Sequence, residues 1–186
     1  MNIAIDIDDT LTESFEYFQP YVAEYFNADI DELRRKNISY SNMPDEWKAH
    51  EIDFCKTYYD RIVEDTPFKT NAAPSIKKLK EMGHRIIIIT RRTTAFYTNP
   101  YKTTAAELKK GNIIYDKLIC TLDKGKACTE EKIDILIDDL PSNCDAASKL
   151  GIKTVMFTSN ANADTKTNHI RVSDWKSVVD LINTKQ

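Results

Sequence analysis

The sequence predicts a three-layer α/β fold built on a parallel sheet, with a small helical cap inserted after the first strand. Three observations carry that expectation. Short, nearly continuous apolar runs rich in Ile and Val recur along the chain, the pattern of strands covered on both faces. Helical stretches ending in glycine separate them, the rhythm of right-handed βαβ crossovers. Between the first run and the second lie about eighty residues, more than one crossover needs.

Taken in order, the strands are expected at residues 2–6 (NIAID), 85–90 (RIIIIT), 117–121 (KLICT), 133–137 (IDILI) and 153–157 (KTVMF), with a weaker sixth at 169–172. Helices are expected at 73–82, 103–110 and 142–150. They stop at Gly83, Gly111 and Gly151, each placed as a residue that can take the left-handed conformation after a helix. Residues 1–12 and 71–186 then make the sheet-based core, and 13–70 the cap. Within the cap Phe15, Phe18, Val22 and Phe26 recur at helical spacing. A second long helical pattern over 44–63 carries Trp47, Phe54, Tyr58 and Ile62. Tyr17, Tyr21, Tyr25, Tyr40 and Tyr59 add to this aromatic set. Most of these rings are expected to pack on one another, with one or two facing the site and able to stack on a flat substrate group.

Composition narrows the class. The chain has 186 residues, 41% hydrophobic and 30% charged, as expected for a globular protein of one core. No apolar run approaches the roughly 20 residues a membrane helix needs, and no signal-peptide pattern opens the chain. The net charge of −3 lacks the basic footprint of a nucleic-acid binder, so no stable nucleic-acid partner is expected. Cys55, Cys120, Cys128 and Cys144 are widely spaced, which points to reduced thiols and a cytoplasmic location. His50, His84 and His169 are isolated and show no metal-ligand spacing.

The acidic residues carry the chemistry. The first strand runs into Asp6-Ile7-Asp8-Asp9-Thr10, and the strand at 133–137 runs into Asp138-Asp139. Carboxyl ends of strands are where open α/β sheets bind ligands. Paired acids at the ends of two apolar strands raise one another's pKa, and an oxygen-seeking divalent cation is the simplest compensation. Hard carboxylates without His or Cys point to Mg²⁺. Thr90 ends the second strand and is followed by Arg91 and Arg92, which fit either a phosphate site or a solvated pair. Lys124 and Lys126 both follow the third strand, and either can offset the acids and hold a phosphoryl oxygen.

Four motifs, IAIDIDDTLT, IIIIT, DKGKAC and ILIDDLPSN, resemble in order those of the haloacid dehalogenase-like hydrolase superfamily. The likeness spans the chain, with 13–70 matching a helical cap on a Rossmann-like core. Within the superfamily the sequence is most similar to the 5′(3′)-deoxyribonucleotidases and related bacterial nucleotidases. That resemblance implies Asp6 as nucleophile and Asp8 as general acid/base, the latter with a raised pKa. It also implies Mg²⁺ held by the Asp6 carboxylate, the Asp8 backbone carbonyl and Asp139, with Asp138 acting through water and Thr10 in support. Thr90, Arg91 and Lys124 would hold the phosphate. Lys124 is preferred because Asp-Lys followed four residues later by Cys fits the family pattern. The implied reaction is hydrolysis of a small phosphomonoester, a nucleoside monophosphate first and a sugar phosphate second. Two other classes fit less well. A phospho-acceptor signalling domain lacks the long insertion, and a non-catalytic binder has no reason to keep all four motifs.

Overall fold

A computed structural model describes residues 1–38 and 42–184; the aromatic residue expected at Tyr40 lies outside the described residues. Six strands form one all-parallel sheet: β1 (Asn2–Ile5), β2 (Arg85–Thr90), β3 (Lys117–Cys120), β4 (Ile135–Asp138), β5 (Lys153–Phe157) and β6 (Ile170–Val172). Their spatial order is β3-β2-β1-β4-β5-β6. The chain therefore builds outward from β1 in one direction, returns, and builds outward in the other. Its switch point falls between β1 and β4, where open α/β sheets bind ligands. The register sets Ile5 beside Ile137, so Asp6 and Asp138 leave the sheet side by side.

Both faces of the sheet are covered, which is why its strands read as apolar runs. Ile3, Ile5, Ile86, Ile88, Ile135 and Ile137 face helices α5 (Ala72–Glu81), α6 (Pro100–Lys110) and α9 (Trp175–Asn183), packing with Ile76, Leu79, Leu108, Trp175 and Val178. Ala4, Ile87, Ile89 and Leu136 face the other way, onto Ala127, Cys128 and Ala147 of α7 (Lys124–Glu130) and α8 (Pro141–Lys149). The four isoleucines of β2 are all 0% exposed. At roughly 2 kcal/mol for each fully buried side chain, such a run contributes heavily to stability before entropy is counted.

Several boundaries differ from the sequence expectation. Helix α6 begins three residues early because Pro100, with its fixed φ and missing N–H, suits the first turn. Strand β4 begins at Ile135, because the Ile133 N–H bonds the Cys128 carbonyl and closes α7 instead. Gly83 and Gly151 do take positive φ, 83° and 78°. Gly111 does not, having φ −77°; Asn112, at 54°, makes the left-handed turn. What Gly111 provides is space, since a Cβ there would lie 2.3 Å from the Phe68 ring. Helices α7 and α9 were not anticipated.

Between β1 and α5 the chain folds into α1 (Ser14–Phe26), α2 (Ile30–Arg35), α3 (Asp45–Lys48) and α4 (Glu51–Asp65). The expected 44–63 helix is thus two, parted at Ala49 and His50. These helices share their own cluster of Val22, Leu33, Phe54, Tyr58 and Ile62. Phe26 stacks on Trp47 at 4.4 Å, and Phe18 meets Phe54 edge-on at 5.0 Å. Most of the aromatic set is consumed in this way. The two chain connections to the insertion run together, with Thr12 bridged to Phe68 and Lys69 Nζ 2.6 Å from Glu13. Among the described residues, no helix is long and apolar enough to cross a membrane.

Candidate active site

The site is built where β1 and β4 end. After Ile5 the backbone turns sharply, the Ile7 carbonyl accepting the N–H groups of Thr10, Leu11 and Thr12. Asp9 sits at φ 57°, a left-handed value that Asp tolerates, and its carboxylate accepts the Phe15 N–H at the start of α1. This turn sends Asp6 and Asp8 to different partners.

Asp6 joins the acidic pair of β4. Carboxylate oxygens of Asp6, Asp138 and Asp139 lie within 4.8 Å of one another. Lys124 Nζ is 2.6 Å from Asp6 and 2.7 Å from Asp138, with its side chain 4% exposed. Lys126 points outward, 3.8 Å from Glu130, so of the two candidate lysines Lys124 is the one in the site. Helix α7 delivers it: Asp123 caps the helix by accepting the Lys126 N–H, placing Lys124 in the first turn above the strand ends.

One ammonium does not balance these carboxylates. Burial pushes the Asp6 carboxyl up to about 7, Lys124 pulling it back and Asp138 and Asp8 pushing it further. Asp9 also rises to about 7, mainly through burial. Burial and the charges of Asp9, Asp138 and Asp6 raise Asp139 well above the carboxylate range. Lys124 moves up despite burial, because Asp138 and Asp6 hold its proton.

A divalent cation fits this donor set. The ligands are all carboxylate oxygens, the preference of Mg²⁺, Ca²⁺ or Mn²⁺. Asp138 is largely committed already, accepting from Lys124, Asn143 and the Leu140 N–H. Asp139 is not: among the described residues its carboxylate accepts no hydrogen bond, while Asn162 fixes its backbone carbonyl at 2.7 Å. Asp6 and Asp139 therefore have oxygens left to give.

Asp8 lies in a separate network. Arg92 grips it with two prongs, Nη2 to Oδ1 at 2.8 Å and Nε to Oδ2 at 3.1 Å. Ser14 Oγ and Tyr59 Oη donate to Oδ1 at 2.9 and 3.1 Å. Burial pulls the Asp8 carboxyl up, but Arg92 and these donors overcome it and leave it below its ordinary value. The raised pKa expected for Asp8 is thus not what its surroundings produce; every neighbour in this network favours the ionised form.

Of the remaining candidates, Thr90 is buried at the end of β2 and Thr10 is buried within the turn, its carbonyl accepting from Trp175 Nε1 at 3.0 Å. Arg91 is exposed, while its neighbour Arg92 is 2% exposed and enters the site. The loop leaving β2 turns only one of the two inward. Sequence reasoning missed Ser14 and Glu107, which carry no motif, did not single out Tyr59 from the other cap aromatics, and gave no role to Asn143, the last residue of ILIDDLPSN. A groove of about 900 Å³ between α7 and α8 includes Lys124 and Asn143 but not Asp6, Asp8 or Asp139, and so is not where the chemistry converges.

The same architecture occurs in solved proteins. A predicted phosphatase from Clostridium acetobutylicum superposes with TM-score 0.70 at 17% identity over 98% of each chain. A haloacid dehalogenase-like family hydrolase from Streptococcus pneumoniae gives 0.69 at 13% over 97% of each. CbbY from Rhodobacter sphaeroides, solved with phosphate, gives 0.66 at 16% over 95% of each. Likeness at such identities establishes the fold alone, the Rossmann-like α/β fold of haloacid dehalogenase-like proteins. Residues 1–186 match the family described as 5′ nucleotidase, deoxy (pyrimidine), cytosolic type C, and the chain belongs to that family, making it a phosphatase. A search among curated proteins finds no match.

Proposed function

We propose that the chain is a Mg²⁺-dependent 5′(3′)-nucleotidase that releases phosphate from nucleoside monophosphates through an aspartyl-phosphate on Asp6. The observation that carries the reading is Asp6 itself. It stands at the β1/β4 switch point, held by Lys124 and within reach of Asp139, in a chain that matches the nucleotidase family throughout.

Asp6 attacks phosphorus in line and the bond to the ester oxygen breaks, that oxygen taking a proton from Asp8. A water then gives its proton to Asp8 and attacks the same phosphorus, releasing inorganic phosphate and free Asp6. The network as described keeps Asp8 ionised, which suits the second half. The first half requires a proton on the Asp8 oxygen that faces the leaving group. Lys124 and Thr90, with the amides beside it, hold the phosphoryl oxygens, and positioning with charge neutralisation supplies most of the rate. The Asp6 and Asp139 carboxylates and the Asp8 backbone carbonyl would hold Mg²⁺, with Asp138 in support, and the ion would supply the positive charge that one lysine lacks.

Residues 13–70 act as a cap over this site. Tyr59 from α4, which donates to Asp8, and Tyr97 from the loop after β2 meet edge-on at 4.1 Å, and these are the rings on which a base would stack. Four free cysteines support a reducing, cytoplasmic setting. The test is phosphate release from deoxyribonucleotides, ribonucleotides and sugar phosphates, with Mg²⁺ and with EDTA. Metal-dependent release favouring nucleotides is expected; preference for a sugar phosphate discards the nucleotide, and metal-independent release discards the mechanism.

A further inference from the structure

Arg92 is an arginine beside a phosphate site, yet its donors are spent within the protein. Nε and Nη2 hold the two oxygens of Asp8, while Nη1 bonds Glu107 of α6, whose second oxygen is 3.4 Å from Nη2. Arg92 and Glu107 side chains are 3% and 2% exposed, against 33% for Asp8. A buried ion pair is a poor source of stability, since desolvation offsets most of its attraction. A two-pronged arginine–carboxylate contact does something else: it fixes the plane of the carboxylate. Glu107 in turn denies the guanidinium any other orientation, and Leu108 beside it anchors α6 in the sheet core. From the insertion, Tyr59 donates to the Asp8 oxygen that Arg92 Nη2 also holds, and its ring lies 5.5 Å from the guanidinium carbon.

We propose that Glu107, Arg92 and Tyr59 are positioning residues that aim the Asp8 carboxyl, rather than groups that bind the substrate phosphate. Glu107 fixes Arg92, Arg92 fixes the plane of Asp8, and Tyr59 makes that aim depend on the seating of the insertion against the core. The inference rests on the reading of Asp8 as acid/base.

The experiment compares kcat/KM on two esters. A nucleoside monophosphate has a poor leaving group that needs a proton; p-nitrophenyl phosphate has a good one that does not. Glu107→Gln and Arg92→Lys are expected to lower kcat/KM on the nucleotide by about tenfold or more and on the aryl ester by less than about threefold. Tyr59→Phe, which removes one hydroxyl and leaves the packing, shows the same split and carries the test if Glu107→Gln fails to fold. An equal loss on both esters, a loss confined to KM, or no loss in these variants overturns the inference while leaving the mechanism standing. A wild-type protein inactive on both esters overturns the Asp8 reading and this inference together.

Discussion

Replacing Lys124 by Met removes the ammonium that lies 2.6 Å from Asp6 and 2.7 Å from Asp138, while keeping much of the stem. The partners are 8% and 0% exposed, so water cannot take over the lost charge. Deleting one member of a buried ion pair costs about 3–5 kcal/mol. At about 2–4 °C per kcal/mol for a chain of this length, the melting temperature of the metal-free protein falls by about 6–20 °C. The loss depends on pH, with a definite sign. The Asp6 carboxyl rises from 3.8 to about 7 in the folded chain, so the stability linked to its proton is present below 3.8 and lost as pH rises through about 7. Without Lys124 it rises further. At about pH 5 Asp6 holds its proton with or without the lysine and the deficit narrows; at about pH 8 the deficit is full. The assay is thermal melting by circular dichroism at both pH values in EDTA. A shift below about 2 °C at the higher pH, or equal shifts at both, refutes the reasoning.

Other outcomes are as specific. Asp6→Asn is expected to reduce turnover more than about a thousandfold with the melting transition retained, as for loss of a nucleophile; residual activity near wild type removes Asp6 from that role. Asp139→Asn should raise the Mg²⁺ concentration for half-maximal activity by at least the roughly tenfold that even outer-shell changes cost, read from a metal titration of phosphate release. Gly111→Ala drives a methyl to 2.3 Å from the Phe68 ring. Overpacking of that kind costs about 1–3 kcal/mol, measurable by urea unfolding, and Phe68→Leu in the same chain should recover most of it.

The β2 run RIIIIT and the acid-ended strands β1 and β4 were legible because burial on both faces leaves an unbroken apolar signature, and because acids ending such a strand have no structural excuse. Helix α9 was legible and unread: Trp175, Val178, Val179 and Ile182 follow the helical spacing. Helix α7 was not, being seven residues long with Gly125 inside and only Ala127 and Cys128 turned to the core. The left-handed turn after α6 was misplaced by one residue, since Gly111 and Asn112 can both make it and the nearness of Phe68 is invisible in the chain order.

The sequence by itself determined the parallel α/β architecture, the place of the insertion and the residue types at the site, because these follow from hydrophobic period and from charge at strand ends. Only the tertiary structure decided between Arg91 and Arg92 and between Lys124 and Lys126. It alone brought Tyr59 to Asp8, across 51 residues, and Glu107 to Arg92. Adjacent residues of one type are chemically equal in a sequence. Which of them faces the site is set by the path of the loop leaving the strand, the helix cap and the packing of elements far apart in the chain, and so is the proton affinity of Asp8, which belongs to its neighbours and not to its motif.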